Sequence, residues 1–202
     1  HDTEGFPNPA RVRIALAEKG VLDKITFVPV DVMSGEHRSD AFLRRNPDAT
    51  VPVLELDDGS HISQCTAITE YIDGAFEGIS LCGTDARERA QIHMMNRRVE
   101  AGLLDAVGDY FHHATPGLGP DLETRQVPDW GNQRKQTASR TMAYLDDILS
   151  RNEYVAGDVF SMADITTYAG LAFADFAEVE IPEKLNRLID WRIRMSQRPS
   201  MA

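Results

Sequence analysis

Thiols are scarce in this chain: of 202 residues only Cys65 and Cys82 are cysteine. Their placement gives no metal-site spacing and no disulfide framework, so no metal is expected. Free thiols fit a reducing compartment, and a cytoplasmic location is the expectation. Long apolar runs are missing as well. No stretch approaches the roughly 20 apolar residues that a bilayer-spanning helix needs, and no signal-peptide pattern is visible, so no membrane partner is expected. Excess positive charge is a third absence, since 21 Lys and Arg face 32 Asp and Glu for a formal net charge of -11. Phosphate backbones are held by concentrated basic surfaces. The nearest approach to one, Arg97-Arg98, reads as a solvated helix face, which argues against a nucleic-acid partner. An initiator methionine is lacking too. The sequence opens His1-Asp2-Thr3, enters a helix pattern almost at once and stops as abruptly after Gln197-Arg198-Pro199, so residues are expected to be missing at both ends.

What remains is an ordinary globular composition, 42% hydrophobic and 26% charged, in a chain long enough for one large domain or two small ones. Helix and strand signals alternate over the first eighty or so positions. Val12, Ala15 and Leu16 have the spacing of an amphipathic helix closed by Gly20. The β-branched run Ile25 to Val30 reads as a strand, with Pro29 marking an edge position. Asp40 to Arg45 reads as a brief helix. Val51 to Leu56, the turn Asp57-Asp58-Gly59-Ser60, and His61-Ile62 read as a hairpin. Ala67, Ile68, Tyr71, Ile72 and Ala75 mark the apolar face of the next helix. Glu77 to Thr84 reads as a linker, and beyond it only helices are expected. Leu103, Leu104, Val107 and Phe111 stripe a long helix starting near Asp85, and Thr115 to Pro128 is a loop. Ala138, Met142, Leu145 and Leu149 stripe another helix. Ile165, Tyr168, Ala169, Ala172, Phe173 and Phe176 stripe the next, and Leu185, Leu188 and Ile189 the last. Ser161 and Asp164 form a capping box flanked by Phe160 and Ile165 as a hydrophobic staple, which is a folding device rather than a site.

Chemistry concentrates in Thr50-Val51-Pro52 and Gln64-Cys65. A proline at a strand start removes a ladder donor. A cis Val51-Pro52 bond would turn the Val51 backbone outward to face an extended peptide. Gln64-Cys65 opens a helix whose start favours an anion such as a carboxylate. A plain edge strand followed by a capped helix explains the same residues, and residue chemistry alone leaves both readings open.

The stretch Pro9 to Gly20 resembles the first helix of many glutathione transferases. Gly35-Glu36-His37, Asn46-Pro47, Val51 to Glu55, Gln64 to Ile68 and Gly157 to Asp164 resemble the same family, in its order and over almost the whole chain. His93 to Asn96 and Tyr110 to Pro120 resemble a branch represented in yeast and bacteria. The resemblance implies a cytosolic glutathione transferase fold: an α/β thioredoxin-like N-terminal domain (1–76), the linker 77–84 and an all-α helical-bundle C-terminal domain (85–202). It also implies a homodimeric detoxification enzyme that conjugates the thiolate of glutathione, its co-substrate, to hydrophobic electrophiles. The family's first strand is central to its sheet and has no counterpart here, which again points to residues before His1.

Carried over by position, Val51 becomes the backbone clamp for the cysteinyl part of glutathione, with Pro52 structural. Gln64 and Cys65 hold the γ-glutamyl group, and His37 and Arg38 reach the glycyl carboxylate. The usual Ser, Tyr or Cys at the start of the first helix is absent, because Phe6 stands at the serine position. The branch resembled lacks this hydroxyl too, and uses a water held by a serine and a histidine of the long helix. That histidine aligns with His112, the candidate catalytic group, but the serine position is Gly108. Asp105, Gly108 and His112 share a helix face at i, i+3 and i+7. His112 and His113 also suit the negative end of a helix with no chemistry at all, while a metal on the pair is disfavoured because adjacent side chains diverge. Tyr110, Phe111 and Leu118 are the expected electrophile-binding groups, though packing explains them equally well. Two other classes stay open: a non-catalytic binder on the same fold, and a peroxidase or thiol transferase that uses Cys65.

Overall fold

Residues 1–201 are described in a computed structural model. The chain divides into two compact units between Leu81 and Cys82.

In the first unit, helix α1 (Pro7–Glu18) starts on proline at its first position, where the missing N–H costs nothing. It stops where Gly20 takes the left-handed conformation, φ 67°. Val12, Ala15 and Leu16 are buried as their spacing requires. Helix α2 (Asp40–Leu43) is a single turn whose start is capped by Ser39. Strands β1 (Val53–Glu55) and β2 (His61–Ser63) pair antiparallel, with Val53 opposite Ser63 and Glu55 opposite His61. Helix α3 (Cys65–Ala75) packs on α1. Its buried stripe is Cys65, Ile68, Thr69 and Ile72, rotated from the expected face, while Ala67, Tyr71 and Ala75 are exposed. The stripe keeps the i, i+3, i+4, i+7 period, and a small residue and a phenol tolerate the outer face. Fully burying Ile68, Ile72 and Leu16 contributes roughly 1.5–3 kcal/mol each. At the ends of α1 and α3, the buried Lys19 ammonium donates to Asp73 Oδ1 at 2.8 Å and to the Ile79 carbonyl at 3.0 Å.

The strand expected over Ile25 to Val30 is a correction: this segment makes only a parallel bridge between Pro29 and Asp2. The Asp2 N–H donates to Val28 O at 2.9 Å, and the Val30 N–H donates to Asp2 O at 2.8 Å. A β-branched run becomes a strand only where a ladder partner lies beside it. On its other side the chain start meets β1, with the Val53 N–H donating to His1 O at 3.0 Å. A cavity of about 430 Å³ is lined by segments 24–28 and 52–57 together with His1 and Asp2, and none of the residues expected to hold glutathione lines it.

The second unit is helical. Asp85 caps α4 (Ala86–Val99) by accepting from the Arg87 and Glu88 N–H groups. A π-helical stretch, Glu100–Leu104, joins α4 to α5 (Asp105–Ala114), so the single long helix expected here is interrupted. Helix α6 (Pro128–Leu149) begins well before Ala138, the first expected stripe residue. Its opening turns are polar and largely exposed, so hydrophobic period missed them, whereas proline at the first position marks the start. Helices α5 and α6 approach closely at Gly131, where an added Cβ would lie 2.8 Å from Ala114 Cβ. Helices α7 (Met162–Phe176) and α8 (Asn186–Ser196) complete the unit around Leu103, Met142, Leu145, Ile165 and Trp191. The Ser161–Asp164 capping box is present, with Phe160 and Ile165 buried beside it. No helix among the described residues is long and apolar enough to cross a membrane.

Candidate active site

In the first unit, the loop 46–52 is organised by Asn46, which is wholly buried. Its amide nitrogen donates to Thr50 O at 2.8 Å, and its oxygen accepts the Asp48 N–H at 3.2 Å. This holds the chain into Val51-Pro52, whose peptide bond is cis. Neither the N–H nor the C=O of Val51 makes a hydrogen bond among the described residues, so an extended peptide can pair with both.

Beyond the hairpin, Gln64 precedes α3 with φ 70° and ψ 117°, a conformation that costs a non-glycine residue about 1–3 kcal/mol. Its amide nitrogen donates to Asp48 Oδ2 at 2.9 Å, so Asp48 aims the Gln64 side chain. Cys65 is 6% exposed, and its thiol donates to the Asn8 carbonyl at 3.3 Å. That contact brings the start of α3 against the first turn of α1. A sheltered, hydrogen-bonded thiol suits a ligand-shaping residue better than one that must meet a disulfide.

The first turn of α1 is poor in donors. Phe6 offers none, Pro7 and Pro9 lack an N–H, and the Ala10 N–H is taken by Phe6 O at 3.0 Å. The remaining backbone donor is the Asn8 N–H. The Asn8 side-chain oxygen accepts from Arg11 Nη1 at 3.0 Å. A guanidinium only donates, so the Asn8 amide nitrogen lies on the other side, a second donor at this helix start.

His37 is 7% exposed, and its Nδ1 is buried without a hydrogen-bond partner. Burial, and secondarily the charge of Arg38, push its pKa below the usual imidazole value. The imidazole is thereby biased toward its neutral form, and the adjacent positive charge is the exposed Arg38.

In the second unit, His112 and His113 separate in role. His113 Nδ1 accepts the Val127 N–H at 3.1 Å and so caps the start of α6. His112 Nδ1 lies 2.6 Å from Glu123 Oε1, which also accepts the Leu118 N–H at 2.9 Å. The Glu123 carboxylate thus orients the His112 ring through Nδ1. Gly108 lies one turn earlier on α5, and a Cβ added there would meet only Phe173, at an ordinary 3.6 Å.

Of the expected electrophile groups, Tyr110 lies under Lys135, whose ammonium is 4.4 Å from the ring centroid and 3.2 Å from the hydroxyl. Leu118 is half-buried in the following loop. Phe111 is 9% exposed and packs against Phe173 and Phe176, with ring centroids 5.5 and 5.6 Å away. The accessible ring of this cluster is Phe176, which is 71% exposed although its spacing placed it in a buried stripe. Sequence reading passed over Asn8, Asp48 and Glu123. Only Asn8, beside two prolines at a helix start, carried a local signal.

Residues 7–75 match the family description Glutathione S-transferase, N-terminal domain, and residues 131–199 match Glutathione S-transferase, C-terminal domain. The chain is 52% identical over 201 residues to Glutathione S-transferase 2 of Saccharomyces cerevisiae, an alignment covering all of this chain and 86% of that one. The chain belongs to the glutathione S-transferase family. The solved structure of Gtt2 from Saccharomyces cerevisiae superposes on this transferase with TM-score 0.97, covering 99% of this chain and 96% of that chain. A glutathione S-transferase domain-containing protein from Marinobacter aquaeolei is 66% identical with TM-score 0.99, covering 100% and 98% of the two chains. A thioredoxin-like half followed by a helical half is therefore the fold, and glutathione transfer is the activity.

Proposed function

We propose that this transferase ionises glutathione without a side-chain hydroxyl, using Asn8 at the start of α1 and a water held by His112. The cysteinyl backbone of glutathione pairs with Val51, and the γ-glutamyl end meets Gln64 and the start of α3. His37 and Arg38 take the glycyl carboxylate. The thiol then faces the first turn of α1, where the Asn8 N–H and amide nitrogen donate to the developing thiolate. A free thiol has a pKa of about 8.5, and each unit of lowering corresponds to about 1.4 kcal/mol. Two hydrogen bonds to a charged sulfur, at about 1.5–3 kcal/mol each, suffice to ionise it near neutral pH. His112 is the proposed positioning residue for that water, its ring oriented through Nδ1 by Glu123. Transfer itself needs little more than orientation of the thiolate toward an electrophilic carbon.

The observation that carries this reading is the unpaired Val51 backbone beside two helix starts joined through Cys65 and Asn8. The electrophile lies against apolar groups of the helical unit, Phe176 foremost and Tyr110 and Leu118 with it. A homodimeric cytoplasmic detoxification enzyme is the setting that the free buried thiols and the family suggest. Steady-state conjugation of an aryl halide tests the scheme. Asn8→Ala and His112→Ala are each expected to lower kcat about ten- to a hundredfold with little change in the KM for glutathione. Unchanged kcat in both variants would refute it.

A further inference from the structure

Three side chains away from the glutathione residues converge on one face of the first unit. Glu55 on β1 stands directly opposite His61 on β2, so both project from the same side. Val53, two residues before Glu55 and on that same side, is bonded to His1 in both directions: the His1 nitrogen donates to Val53 O at 2.9 Å, and the Val53 N–H donates to His1 O at 3.0 Å. His1 is thereby fixed diagonally to Glu55. The ligating atoms of His1, Glu55 and His61 all lie within 4.8 Å of one another. His1 Nε2 is 2.9 Å and His61 Nε2 3.6 Å from the same oxygen, Glu55 Oε2. The His1 side chain is 8% exposed and its ring meets Phe42 edge-on at 6.4 Å, which restricts its rotation. His61 Nε2 is buried and has no hydrogen-bond partner.

A carboxylate bridging two imidazoles explains His1 but not His61, because 3.6 Å is beyond hydrogen-bond range. We infer that His1, Glu55 and His61 bind one divalent transition-metal ion of the zinc class. Two imidazole nitrogens and one carboxylate oxygen are a donor set such ions favour. Ligand bonds of about 2.0–2.2 Å around a tetrahedral centre separate the ligating atoms by roughly 3.3–3.5 Å, between the two separations found. Glu55 is half exposed, so the fourth position opens to water on its side. Binding needs both imidazoles neutral, with Nε2 directed at the ion, and any proton they hold passes to solvent. The ion would clip His1 to the hairpin that follows Val51.

Cobalt(II) is the probe, added to the tag-free chain without glutathione, which itself chelates metals. The expected result is a saturable visible absorption at one Co²⁺ per chain, abolished by Zn²⁺, with affinity at least tenfold weaker in Glu55→Gln and in His61→Ala (about 1.4 kcal/mol per tenfold). Glu55→Gln is isosteric at a half-exposed site, and far-UV circular dichroism verifies that each variant is folded. Absence of saturable binding in the parent, or unchanged affinity in either folded variant, overturns the site.

Discussion

Replacing Asp164 should destabilise the helical unit more than any other single polar change. Its carboxylate is fully buried. It accepts the Val155 N–H at 2.9 Å, the Ser161 N–H at 3.0 Å, the Ser161 hydroxyl at 3.2 Å and the Trp191 indole N–H at 3.3 Å. Asp164→Ala strands three buried N–H donors, each at about 1–3 kcal/mol. Removing a desolvated carboxylate offsets part of that cost, leaving an expected net loss of about 3–5 kcal/mol. Burial pushes the Asp164 pKa up from 3.8 to about 6. The folded state therefore binds more protons than the unfolded one between these values. Stability from this group is fully present below pH 3.8 and is lost as pH rises through about 6. The shift of about two units is worth about 3 kcal/mol. Asp164→Asn cannot titrate, so its deficit relative to the parent should be larger at pH 4 than at pH 7 by roughly that amount. Urea unfolding followed by tryptophan fluorescence measures both effects, since Trp130 and Trp191 are the only tryptophans and both lie in the helical unit. A loss below about 1 kcal/mol in Asp164→Ala, or a pH-independent deficit in Asp164→Asn, would refute the reasoning.

His37→Ala tests the proposed contact to the glycyl carboxylate. It should raise the KM for glutathione about ten- to a hundredfold with kcat nearly unchanged, as initial-rate kinetics would show. Gly108→Ser adds a hydroxyl one turn before His112 where a Cβ meets only Phe173 at 3.6 Å. It should fold normally and lower the pH midpoint of conjugation, and an unchanged midpoint counts against water held at this face. Lys19→Met leaves Asp73 buried without its cation and should cost about 3–5 kcal/mol in thermal or urea unfolding.

Periodicity and turn chemistry were enough to read α1, the hairpin and the α7 capping box, because each rests on residues close in sequence. Segment 25–30 failed for the opposite reason: β-branched residues are necessary for a strand, but the partner is set elsewhere in the chain. The early turns of α6 were invisible because they carry no apolar stripe. Val51, Gln64 and Cys65 stood out through Pro52 and the helix start that follows. Asp48 and Glu123 did not, since an exposed-looking acid in a loop shows no sign of the amide or imidazole it will hold. His1, Glu55 and His61 meet through strand pairing alone, which no spacing rule for metal ligands covers.

The most direct test of thiolate activation is the ultraviolet absorbance of bound glutathione thiolate against pH, in the parent and in His112→Ala. The expected result is a midpoint well below the value of about 8.5 for a free thiol, moving upward in the variant. Saturable binding with the midpoint of free glutathione in the parent would contradict it.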